Sequence, residues 1–303
     1  MSRRSWLLFA AMCIIWGIPY LLIRVVVRDG DISPGTLVFA RTAIGALLLT
    51  PVAISRGALR PVLRHWRALL VYTVIEVAVP WLFLSDAETK LSSSLSGLLV
   101  AAVPLVGIGI ARLQRSDDRV DAVRAAGLLL GIGGVVALLG LDVGEVHAVP
   151  LAEMGMVVLA YAIGPAIFSR YLAGVPGIGV VVLSLALTAV GYLPVAIVDP
   201  PAHLPADVVW SVLGLATICT ALAFIVFFAL ISAIGPARAT VITYVNPAVA
   251  VLLGVVLLDE KFTIGMAVGF PMILAGSVLA ARRRSPGTTA SSVPSPVAEP
   301  VTP

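Results

Sequence analysis

Long uninterrupted runs of apolar side chains, separated by short polar connections, dominate the chain. Ten such runs cover about 6–25, 34–54, 67–85, 93–112, 124–141, 151–170, 178–198, 207–231, 238–258 and 264–281. At 1.5 Å per residue, a helix of about 20 residues crosses a hydrocarbon core about 30 Å thick. The runs are continuous, whereas a transmembrane barrel strand shows about ten residues of alternating polarity. A helix also satisfies every backbone amide within its own segment, which lipid demands. The pattern therefore predicts an all-α polytopic membrane protein with ten transmembrane helices. Connections such as Asp86-Ala-Glu-Thr-Lys90 and Asp259-Glu-Lys261 are short, so neighbouring helices should form antiparallel hairpins. The first run extends from Trp6 to about Val27 with no small-residue cleavage site after it, and is expected to be retained rather than removed as a signal peptide.

Composition agrees: 60% of the 303 residues are hydrophobic and 12% charged, with a mean hydropathy of +1.08. A soluble fold of this length could not hide ten such runs. Charge then sets orientation. Fifteen of the eighteen arginines fall on alternate connections, from Arg3 and Arg4 through Arg56–Arg67, Arg112–Arg124, Arg170 and Arg238 to Arg282–Arg284. Basic connections resist translocation, so both termini are expected to be cytoplasmic. The net charge of +4 is spread over these connections and forms no basic platform for nucleic acid. Cys13 and Cys219 each lie inside a run and are expected to pack there as small residues. His65, His147 and His203 sit in connections without ligand spacing, so no metal or cofactor is expected. The segment 285–303 is rich in Pro, Ser, Thr and Ala, and reads as a disordered cytoplasmic tail.

The two halves repeat at an offset of 143 residues: Pro104 falls on Pro247, Gly133-Gly134-Val135 on Gly276-Ser277-Val278, and Leu91-Ser92 on Ile234-Gly235. With a further small shift, Trp16-Gly17 aligns with Tyr161-Ala162. Segments 1–141 and 142–284 thus each hold five helices. An odd number of crossings makes the second copy enter upside down, giving two inverted five-helix repeats about an axis in the membrane plane, with a site expected near midplane. Gly265 and Gly269 form a G-x-x-x-G in the tenth helix, suited to close helix approach or to a hinge.

The chain resembles the ten-helix EamA type of the drug/metabolite transporter superfamily over about residues 6–283. The likeness is carried by Trp16-Gly17-Ile-Pro19, Ser33-Pro34 with Arg41, the small-residue entry to the fourth helix with Pro104, Pro236-Ala-Arg-Ala leading to Asn246-Pro247, Asp259-Glu260 and the Gly-rich tenth helix. Ala111-Arg112 departs from it, since the family repeat often has an acidic residue there. The resemblance implies export or exchange of small metabolites, including amino acids and drugs, across a bacterial inner membrane.

Two ionisable residues lie deep in the apolar runs. Arg41 is about 10 Å from the outer end of its helix at 1.5 Å per residue, and Glu76 is near the middle of the third. A charge at such depth must pair or face water. Arg41 could fork onto a carboxylate or phosphate, and Glu76 could meet an ammonium group or carry a coupling proton. Alternatively the two pair with each other. Pro19, Pro80, Pro104 and Pro247 are candidate kinks that free backbone carbonyls. Trp16, Tyr20, Trp81, Tyr161 and Tyr244 are at cavity depth for stacking, and Asn246 offers a donor and an acceptor. Trp6, Trp66 and Trp210 look like interfacial belt residues. Walker A, G-x-S-x-G and H-E-x-x-H motifs are missing, so no enzyme activity is expected and transport should be passive or gradient-driven. The expectation is a secondary transporter exporting a small metabolite by alternating access. The alternatives are a flippase or exchanger of lipid-linked or nucleotide-sugar substrates, and a membrane sensor or enzyme. Expected partners are the small-molecule substrate and the lipid bilayer, with protons a candidate coupling ion and a homodimer a candidate assembly.

Overall fold

The computed structural model describes residues 2–113, 122–140, 148–201 and 203–281. The tail 285–303, together with Arg115, Arg119, His147 and Arg282–Arg284, lies outside the described residues. Seven helices are long and apolar enough to cross a membrane: α1 (Arg3–Val27), α2 (Pro34–Ser55), α3 (Trp66–Ala87), α4 (Ser93–Ile110), α6 (Ala148–Leu172), α7 (Gly177–Val198) and α8 (Ala206–Ile234). Three shorter apolar stretches complete the set: Ala125–Gly140 in α5 (Ala122–Gly140), Val241–Leu257 as α9, and Ile264–Ala280 in α10 (Ile264–Ala281). No strand occurs among the described residues. The fold is thus all-α and polytopic, as the apolar runs predict.

Several helices are interrupted, and the interruptions have local causes. In α1 the regular turn stops at Ile15 and resumes at Ile18, because Pro19 cannot donate to the Ile15 carbonyl. In α4 it stops at Val100 and resumes at Val103, with Pro104 in the first new turn. Before α9 a 3-10 stretch, Thr240–Tyr244, gives way to a helix starting at Asn246-Pro247. Pro80 falls just after a π-turn, Val74–Ala78, in α3. All four prolines therefore sit in the first turn of a restarted helix, where a missing N–H costs least. The π-turn of α8, Thr217–Leu222, has no proline nearby. There the hydroxyls of Thr217 and Thr220 bond back to the carbonyls of Leu213 and Leu215 at 2.6 and 2.8 Å, and wedge the ladder open.

The offset of 143 residues reappears in the architecture. The bounds of α2, Pro34–Ser55, fall on those of α7, Gly177–Val198, and the π-turn at 74 falls on that at 217. Packing follows the same exchange. The equivalent helices α5 and α10 pack together, as do α2 and α7, and α4 and α9. The α3–α6 contact is matched by α1–α8. Where α5 meets α10, a Cβ on Gly134 would stand 2.8 Å from the Gly269 carbonyl oxygen, and one on Gly127 would stand 2.9 Å from that of Gly276. The glycines of these two helices serve close packing of backbones. Trp6, Trp66 and Trp210 lie on the outside of the bundle, as belt residues should, and Cys13 and Cys219 are free and buried.

Candidate substrate site at the centre of the bundle

Arg41, on α2, is buried with a relative exposure of 7%. Its guanidinium lies 3.7 Å from the centroid of the Trp81 ring, a cation–π contact from α3. Its Nε donates to Thr220 Oγ1 at 3.0 Å. The π-turn of α8 is what turns Thr220 towards it. Tyr20 of α1, Tyr161 of α6 and Cys219 of α8 lie within electrostatic reach of the same guanidinium. The Trp81 indole N–H faces the Tyr161 hydroxyl. Among the described residues no carboxylate pairs with Arg41; the ion pairs there join Arg28 to Asp29 at 3.0 Å and to Asp207 at 4.0 Å, among exposed side chains.

Glu76 occupies the π-turn of α3, where the ladder widens just before Pro80. Its carboxyl group lies over Gly164 of α6, where a Cβ would come within 2.6 Å of Glu76 Cδ. Its Oε2 is buried without a hydrogen-bond partner. Tyr72 and Tyr161 are the phenols that sense its charge. A mutual Arg41–Glu76 ion pair is not formed. Neither group forms an ion pair; both are electrostatically coupled to Tyr161, and Arg41 also to Glu88. A buried charge in that condition costs several kcal/mol, which a ligand of matching charge can offset.

Tyr20, Arg41, Glu76, Trp81 and Tyr161 thus come together in one neighbourhood. Trp16, Tyr244 and Asn246 lie along a second crossing, where α1 meets α9. Trp16 lies against Phe227 with centroids 4.7 Å apart and the rings tilted by 45°, and meets Phe224 edge-on at 6.1 Å. Tyr244 ends the 3-10 stretch. With its amide nitrogen turned to the acceptors, Asn246 donates to Ile242 O at 2.9 Å and to Cys13 O at 3.1 Å. The Cys13 carbonyl is left open by the break in α1, since the Gly17 N–H goes to Ile14. Asn246 therefore straps one broken helix to the other. A Cβ on Gly17 would meet Val249 Cβ at 2.5 Å, so glycine is what lets these helices touch.

Three residues near this centre carry no sequence signal of their role. Thr220 and Cys219 are ordinary residues of an apolar run, placed by the π-turn. Glu88 lies in the short α3–α4 connection and reads as a solvated turn residue, yet it is fully buried. A carboxylate five residues before the serine-rich start of α4 is a weak signal at best. Nearby, Glu260 caps that start: its Oε1 accepts from Ser93 N and Oγ at 2.7 and 2.9 Å, and its Oε2 from Ser94 N and Oγ at 2.9 and 2.5 Å.

A bundle of apolar helices, interrupted at matched positions and enclosing unpaired ionisable groups, defines a multi-pass membrane protein of the transporter kind. The chain belongs to the EamA-like transporter family, which matches residues 4–140 and again 154–282. It is similar to the uncharacterized transporter YetK of Bacillus subtilis (strain 168), with 28% identity over 60% of this chain and 57% of that protein. The match thus spans little more than half of YetK's own length. An uncharacterized transporter of Archaeoglobus fulgidus is 21% identical over 93% of this chain and 100% of its own. A solved structure described only as the crystal structure of a protein shares the fold, with a TM-score of 0.66 and 21% identity over 92% of this chain and 98% of that one.

Proposed function

We propose that the protein is a secondary transporter that exports a small zwitterionic metabolite, such as an amino acid, by alternating access. The observation that carries this reading is Arg41: a buried guanidinium, oriented by Trp81 and Thr220, with no protein carboxylate on it. Its free N–H groups match a substrate carboxylate. Glu76, which like Arg41 is electrostatically coupled to Tyr161, would receive the substrate ammonium group or exchange a proton for it. Trp81, Tyr20 and Tyr161 form the wall. Segments 1–141 and 142–284 act as inverted repeats that rock about this midplane site, with the restarted helices at Pro19, Pro104 and Pro247 as flexible points. Both termini face the cytoplasm of a bacterial cell, the chain catalyses no reaction, and a homodimer is the assembly to test.

A second reading has one observation in its favour. A cavity of about 370 Å³ between α4, α9 and α10 is lined by apolar residues including Leu98, Leu252, Phe262 and Phe270. It suits the tail of a lipid-linked substrate, but its lining offers no group for a charged head.

The test compares culture medium and cell extract by mass spectrometry. Cells overexpressing the chain are set against cells making an Arg41→Ala/Glu76→Ala variant at matched membrane level. A small zwitterion enriched outside only with the unaltered chain supports export. Enrichment of a lipid-linked or nucleotide-sugar compound instead favours the second reading, and an equal profile from both chains removes Arg41 and Glu76 from the site.

A further inference from the structure

Glu88 follows the last turn of α3 and is 0% exposed. Neither of its carboxyl oxygens has a hydrogen-bond partner among the described residues. The nearest cation is spent elsewhere, since the Arg24 guanidinium donates to the backbone carbonyl of Glu88 and not to its carboxyl group. Glu260 is likewise occupied by Ser93 and Ser94. The charged and titratable groups facing Glu88 are Arg24 and Tyr20 from α1, Arg41 from α2 and Glu260 from the α9–α10 connection. Tyr20 is also electrostatically coupled to Tyr161, and Tyr161 to Glu76.

We propose that Glu88 is a proton-binding site at the outer end of the bundle, separate from Glu76. A carboxylate without donors, enclosed by protein, costs several kcal/mol, whereas the neutral acid costs far less. Burial holds the Glu88 carboxyl group well above the usual carboxylate range, against the opposing pull of Arg24 and Arg41. In this closed packing Glu88 carries its proton. When the outer face opens, the O–H bond breaks, the proton passes to water and a carboxylate remains near Arg41. That anion competes with a substrate carboxylate for the guanidinium, which ties proton release to substrate release. The proton site stands without the substrate reading; the coupling rests on it.

Infrared difference spectroscopy of the full-length protein in lipid vesicles, titrated with pH, reads the site directly through the stretching band of protonated carboxyl groups. At neutral pH the unaltered chain should show a component that Glu88→Gln loses, Glu88→Asp moves in frequency and Glu76→Gln retains. Spectra of Glu88→Gln and Glu88→Asp that both match the unaltered chain across the titration would overturn the proposal, and the pair guards against one variant failing to fold. Arg41→Ala should keep the Glu88 component even when its transport is lost, so failure of the substrate reading and failure of the proton site are told apart.

Discussion

The π-turns of α3 and α8 stand 143 residues apart and interrupt equivalent helices, yet one presents Glu76 where the other presents Cys219. The same holds in the helices that face them. Arg41 of α2 has Ser184 of α7 as its counterpart at that offset. Each reaches across to a threonine of the other half: Arg41 to Thr220 at 3.0 Å, and Ser184 to Thr73 at 2.9 Å. At these positions the hydrogen bonding recurs at the 143-residue offset while the charge does not. A repeat that kept Arg and Glu in both halves would bury four charges around one axis. Keeping them in one half leaves Arg41 and Glu76 without duplicates, a polarity that fits one orientation of a zwitterion.

The largest effect should come from removing the cation. With reconstituted protein and a mixture of amino acids as probe, Arg41→Ala is expected to lower flux about thirtyfold or more, the equivalent of about 2 kcal/mol for a truncated buried charge contact. Ser184→Ala, the matching change in the other half, removes only a neutral hydrogen bond worth about 1 kcal/mol of stability and should leave flux nearly intact. Equal losses from the two variants would mean that Arg41 is a packing residue like its counterpart.

Adding an anion to the second half sharpens the contrast. Cys219 is next to Thr220, which accepts from Arg41 Nε, and lies within electrostatic reach of the guanidinium. Cys219→Glu would set a carboxylate against it, with an attraction of about 4 kcal/mol at an effective dielectric constant of 20 and a spacing of 4 Å. The resulting ion pair should occupy Arg41 and lower flux about tenfold or more, with folding preserved in size-exclusion chromatography. Full flux in a well-folded variant would show that substrate does not use the guanidinium.

Glu76→Gln comes next. It keeps the shape of the side chain over Gly164 but removes the charge, so about 1.5 kcal/mol of interaction with an ammonium group is lost, roughly a tenfold change in flux. If Glu76 also exchanges a proton, the variant's flux should stop responding to an imposed pH gradient. A variant as sensitive to the gradient as the unaltered chain would confine proton traffic to other groups, with Glu88 the first to examine.

Much of the fold is written in single-residue physics. Ten apolar runs, the prolines that restart α1, α3, α4 and α9, and glycines spaced along α5 and α10 follow from local chemistry that any segment carries with it. Arg41 and Glu76 stand out for the same reason, since a charge inside an apolar run is visible without tertiary structure. What could not be read depends on which helices meet. Thr220 matters because a π-turn rotates it towards α2, and Asn246 because α9 crosses the break in α1 and finds the open Cys13 carbonyl. Glu88 lies in a short polar connection of the kind that is normally wet, and only its tertiary surroundings, with Arg24 of α1 donating to its backbone carbonyl, leave it 0% exposed.

The smallest effect should come from Cys219→Ser. The thiol is buried in the π-turn of α8, where it forms neither a disulfide nor an ion pair. Serine is close in size and uncharged, and its hydroxyl can bond to a carbonyl left loose by the π-turn, as Thr220 already does to Leu215 at 2.8 Å. Flux within about twofold of the unaltered chain is therefore expected, since a well-placed hydrogen bond exchanged for packing changes energies by about 1 kcal/mol or less. Measured beside Cys219→Glu, this variant separates the charge at the position from its volume. If serine were as damaging as glutamate, the site would be reading shape, and the asymmetry between the halves would be one of packing rather than of charge.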